Sequence, residues 1–74
     1  MEVWVSKEQE TKLKEIGFSF PEKKSGDVFY EHDKVGYIDN FTGLRFDDCD
    51  SKPAKLVKSL ESDLKLCIWN PNHN

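Results

Sequence analysis

Seventy-four residues are enough for one domain, spanning 1–74, and leave no room for a second. Apolar residues make up 36% of the chain and charged residues 34%, which is lean for a packed protein, but a 12% aromatic content is too rich for a disordered one. The net charge of −3 and a pI near 5.3 count against a general nucleic-acid binder, and no apolar run approaches the ~18 residues of a membrane span.

The opening Met1-Glu2-Val3-Trp4 has neither the basic patch nor the apolar stretch of a signal peptide, so a cytosolic chain is expected. A domain of this size buries only ~60% of its unfolded surface. Nearly every large apolar side chain must then serve the core, leaving little for a deep pocket. That weighs against a small-molecule enzyme.

Val3-Trp4-Val5 is a short β-prone start. Ser6 reads as a helix N-cap, with Gln9 three residues on to complete a capping box, and Gly17 as the stop. Only Leu13 and Ile16 form an apolar stripe, with Gln9 between them in angle, so this first helix is peripheral. Phe18-Ser19-Phe20 alternates with period two and closes at Pro21.

Val28, Phe29 and Tyr30 mark a strand within residues 27–32, Asp33-Lys34 a tight turn, and Val35 to Ile38 the return strand. Residues 39–43 have a hairpin-loop composition with Gly43 in the left-handed region, and Leu44-Arg45-Phe46 is a third strand. Ser51 caps a second helix with Pro53 in its first turn. Pro53, Leu56, Val57, Leu60 and Leu64 share one arc, and the helix ends near Lys65. Residues 66–69 are extended and stop at Asn70-Pro71. They could pair with Val3-Trp4-Val5 and bring the two tryptophans together. The expected fold is α+β: an antiparallel meander of three to four strands with two helices packed on one face.

Charge is unevenly spread. Residues 25–50 are acidic, through Asp27, Glu31, Asp33, Asp39, Asp47, Asp48 and Asp50 against Lys34 and Arg45. The second helix carries Lys52, Lys55, Lys58 and Lys65 opposite its apolar arc. Turn geometry explains Asp33 and Asp39. Asp47 and Asp48 are the carboxylates that most call for another role, an acidic surface for a basic partner. The lysine face reads first as a solvated helix surface and, alternatively, as a phosphate or nucleic-acid contact. Arg45 is the only arginine, which weakens that alternative.

Chemical motifs are scarce. Cys49, Asp50, Cys67 and His73 are the conceivable metal ligands, but no Cys-x-x-Cys or His-x-x-x-His clip joins them, and Asp47, Asp48 and Asp50 lack the spacing of a calcium loop. Both cysteines read as reduced, buried apolar residues. His32 beside Asp33 could suggest an oriented imidazole, but neighbours on a strand end point to opposite faces. No phosphate-binding glycine loop occurs, and no cofactor is implied.

A two-residue turn at Asp33-Lys34 would pair Tyr30 with Tyr37 and Val28 with Asp39. Tyr30, Tyr37, Val28 and Val35 would then share one face, and Phe29, Ile38, Leu44 and Phe46 the other. Tyrosine is enriched at interface cores. The expectation is therefore a non-enzymatic protein-binding domain of the inhibitor, adaptor or antidote type. Its site would be Tyr30, Tyr37, Asp39, Asp47 and Asp48, and its partner a protein with a basic surface. The same face could make a homodimer.

Overall fold

A computed structural model describes residues 1–39 and 43–69, the Trp69 side chain excepted. Among these residues the chain forms β1 (Glu2–Trp4), α1 (Lys7–Ile16), β2 (Phe18–Ser19), β3 (Gly26–Tyr30), β4 (Asp33–Asp39), β5 (Gly43–Phe46), α2 (Lys52–Ser59), α3 (Glu61–Leu64) and β6 (Cys67–Trp69). The strands make one sheet in the order β2-β3-β4-β5-β1-β6, every neighbouring pair antiparallel. The α+β class is as expected, but among the described residues the sheet has six strands and the helices number three. The terminal segments join the meander: β1 pairs with β5, β6 pairs with β1, and β2 adds to β3. No helix among the described residues is long and apolar enough to cross a membrane.

Local chemistry sets the starts of α1 and α2. Ser6 Oγ accepts from the Gln9 N–H at 3.2 Å, and the Ser6 N–H donates to Gln9 Oε1 at 2.8 Å, closing the capping box. The Gln9 amide also donates to the carbonyls of Leu64 and Lys65, at 2.9 and 3.0 Å, which ties α1 to the end of α3. Ser6→Ala should therefore lower stability by about 1 kcal/mol, read as a reduced urea midpoint with an unchanged slope. Gly17 ends α1 with φ 131°. Leu13 is fully buried, whereas Ile16 is exposed, so the stripe expected on this helix narrows to one residue.

Ser51 Oγ accepts from the Ala54 N–H at 3.3 Å, and Pro53 sits in the first turn. Pro53, Ala54 and Val57 are buried, while Leu56, Leu60 and Leu64 are half-buried. The helical path breaks at Leu60 (φ −95°, ψ 2°), dividing the expected single helix into α2 and α3. Lys65 then turns left-handed (φ 54°, ψ 45°) and ends α3.

The β3–β4 hairpin differs from expectation in two ways. Its turn is Glu31-His32, closed by Tyr30 opposite Asp33, with Glu31 at φ 58°. The Glu31 N–H donates to the Gly17 carbonyl at 2.9 Å, so the turn is anchored to the end of α1. The register then shifts between Val28 and Phe29: Phe29 faces Lys34 and Val28 faces Gly36, leaving Val35 as the extra residue of a bulge. Tyr37 consequently pairs with Asp27, not with Tyr30, and Ile38 with Gly26.

The helices cover one face of the sheet. Val3, Phe18, Val28, Leu44 and Phe46 point there and form one core with Leu13, Val35, Ala54, Val57 and Leu66. Tyr30 lies on this covered side, its ring 4.8 Å from that of Phe18. The two tyrosines, expected on one face, are on opposite faces, because the bulge reverses the alternation between them.

Gly43 has φ 72°, as its expected left-handed conformation requires. Three other expectations fall outside the described residues: the loop conformation over 40–42, the tail holding His73, and the meeting of the Trp4 and Trp69 side chains.

Candidate functional site

The uncovered face is the surface the fold leaves for recognition. Ladder pairing places Asp27 on β3, Tyr37 on β4, Arg45 on β5 and Glu2 on β1 in one row across four strands, and Glu2 is in turn paired with Trp69 of β6. A second row, two residues along, runs through Asp39, Gly43, Trp4 and Cys67. Trp4, Phe29 and Tyr37 are 42%, 38% and 41% exposed. Three large aromatic side chains open to solvent on one face are a substantial load for so small a domain.

Glu2 stands apart on this face. It is only 5% exposed. Arg45 Nε lies 3.4 Å from its Oε1, and Oε2 finds no hydrogen-bond partner among the described residues. A shielded carboxylate with one unmatched oxygen forfeits the hydration that its contacts replace only in part. The Arg45 side chain, by contrast, is 60% exposed. Composition did not single out Glu2. A lone acid in a β-prone start looks solvated until β5 and β6 flank it.

The expected acidic rim has largely local partners. Asp47 Oδ2 accepts from Lys34 Nζ at 2.9 Å, and this bond, with the Asp47 charge, holds the Lys34 ammonium above its ordinary pKa of 10.5. Asp48 Oδ1 accepts from the Asp50 N–H at 2.9 Å, a turn-forming bond. Asp39 is half-buried at the end of β4, beside Gly43. The structure thus places Tyr37 and Asp39 on the uncovered face, Tyr30 on the covered one, and Asp47 and Asp48 beyond the end of β5.

Lys52, Lys55 and Lys58 are exposed along the outer side of α2, and Lys65 is the exposed left-handed residue after α3. A different set of lysines meets at an open groove of about 490 Å³, between α1, the β2–β3 connection and the end of the β4–β5 pair. Lys7, Lys14, Lys23 and Lys24 face it, interleaved with Glu10, Glu22 and Asp39. The mixed signs give it no net preference for an anion.

Cys49 and Cys67 are both free and both exposed, against the expected buried thiols. Cys67 is paired with Trp4 on the uncovered face, and Cys49 lies in the turn after β5, so neither reaches the core. No group of three or more His, Cys, Asp or Glu among the described residues is arranged to hold a metal ion. His32 and Asp33 are exposed at the hairpin turn. No family model matches this chain, and comparisons with curated proteins and with solved structures give no match.

Proposed function

We propose that this domain is a protein-binding module whose contact surface is the uncovered face of its sheet. The observation that carries the reading is the one-sided cover. All three helices lie against one face, and the other keeps Trp4, Phe29 and Tyr37 open beside Arg45. Aromatic residues and arginine are the types that supply most binding energy at protein interfaces.

The exposed carboxylate of this face, Asp27, favours a partner that brings a basic group to it. Asp39 stands at one end of the same surface. Tyr30, Asp47 and Asp48 leave the proposed site, Tyr30 because it packs on Phe18 and the two aspartates because they serve Lys34 and the turn.

The test is capture by the immobilised domain, wild type against Tyr37→Asp and Phe29→Ser. Both positions are exposed, so each variant should keep the wild-type circular dichroism spectrum. Each should lose about tenfold or more in affinity for whatever protein, a second copy included, the wild type retains. Equal retention by all three baits would refute the reading.

A further inference from the structure

The uncovered face is self-complementary. Arg45 of β5 and Glu2 of β1 sit side by side in one row, and Gly43 and Trp4 sit side by side in the next. A two-fold axis lying in the plane of this face, along the strands and between β5 and β1, exchanges the two strands. It sets Arg45 over Glu2 of a second copy and Glu2 over the second copy's Arg45. It also sets each exposed Trp4 over a Gly43, which presents no side chain. An axis across the strands would instead oppose like charges, so the pattern selects one orientation.

Resting on the protein-binding reading above, we infer that the occupant of this face is a second copy of the chain, in a two-fold dimer in which the two Arg45–Glu2 pairs are exchanged between copies. Within one chain the pair is poorly made: a single contact at 3.4 Å through Nε, with Glu2 Oε2 unmatched among the described residues. Approaching from the facing sheet, a guanidinium presents its two-pronged edge to both oxygens. The exchange requires each Arg45 to swing towards the other copy, and its side chain, 60% exposed, has the room to do so. Trp4 set against Gly43, which carries no side chain, supplies the apolar part of the contact and fixes the register of the two sheets.

Sedimentation equilibrium of the full chain tests this directly. The mass should rise with concentration from 8.6 kDa towards twice that value, approaching the dimer by about 1 mM. Arg45→Glu and Trp4→Ser, both at exposed positions, should each weaken dimerisation at least about tenfold. Glu2→Arg alone should be monomeric for the same reason as Arg45→Glu. Mixed in equal amounts, these two charge-reversed chains should recover a heterodimer, because both exchanged pairs are then of opposite charge. Circular dichroism identifies a Glu2→Arg chain that does not fold, and the exposed-position variants then decide alone. A wild-type mass that stays at 8.6 kDa up to about 1 mM overturns the proposal, as does a dimer equally strong in Arg45→Glu and Trp4→Ser. A monomer whose capture of a different protein still depends on Tyr37 would overturn the second copy as occupant while leaving the binding face standing.

Discussion

Gly36→Ala should abolish the cooperative thermal transition of this domain. Gly36 lies on the covered side of β4, opposite Phe46 on β5 and Val28 on β3. A Cβ there would collide with the Arg45 carbonyl oxygen and stand 3.2 Å from the Phe46 Cα. These neighbours are backbone, so no rotamer change relieves the clash. The two central strands would have to separate, breaking the β4–β5 ladder on which β1 and β6 also depend. Overpacking of this kind costs about 3 kcal/mol or more. A domain of this length holds only about 4–10 kcal/mol in total. Thermal unfolding followed by circular dichroism is the measurement, and a sharp transition within about 5 °C of wild type would contradict the argument.

Leu13→Ala should cost about 2–5 kcal/mol, whereas Ile16→Ala should cost less than about 1. Both residues occupy the apolar edge of α1, and from sequence they look equivalent. Leu13 is fully buried in the core shared with Val28, Leu44 and Val57, while Ile16 is 37% exposed. Leu13 is the one buried residue of α1, so truncating it removes that helix's anchor and leaves a cavity under it. The Gln9 bonds to Leu64 and Lys65 and the Glu31 bond to Gly17 would then be the main ties left to α1. Urea unfolding of the two variants side by side checks the difference. Equal midpoints would show that the helix is held by its polar contacts and not by Leu13.

The starts of α1 and α2 and the end of α1 were legible because their causes are local, whereas the break at Leu60 was not. A hydroxyl and an amide three residues apart close the capping box at Ser6 and Gln9 whatever the rest of the chain does. Gly17 and Ser51 act in the same way, through backbone conformation and one short bond. The pairing of residues 66–69 with the first strand was also readable, since two β-prone segments at the chain ends had no other edge in view. What could not be read was that β1 inserts between β5 and β6, because no local signal reports a contact across some forty residues.

The faces of the sheet were the largest loss. Moving the turn from Asp33-Lys34 to Glu31-His32 already changes every pairing of the hairpin, and the bulge at Val35 then reverses which residues share a side. The candidate site changed with it. Tyr30 went to the covered face, half-buried against the core, Phe29 and Trp4 joined Tyr37, and Glu2 became the shielded acid of the row. Asp47 and Asp48 attracted notice by sequence because acids after a strand have no obvious duty. A lysine thirteen residues back and a turn of their own supply one.

By itself the chain's order of residues determined its α+β class, its two capped helices, its strand-forming segments and the separation of acidic sheet from basic helix. These follow from spacings of three or four residues, from backbone freedom and from composition, all of which act over one or two turns. Only the tertiary structure decided which side of the sheet is covered, which aromatics stay outside and which carboxylate is shielded from water. Side chains alternate along a strand with period two. One inserted residue therefore exchanges the two faces, and that choice is made by packing between segments distant in the chain.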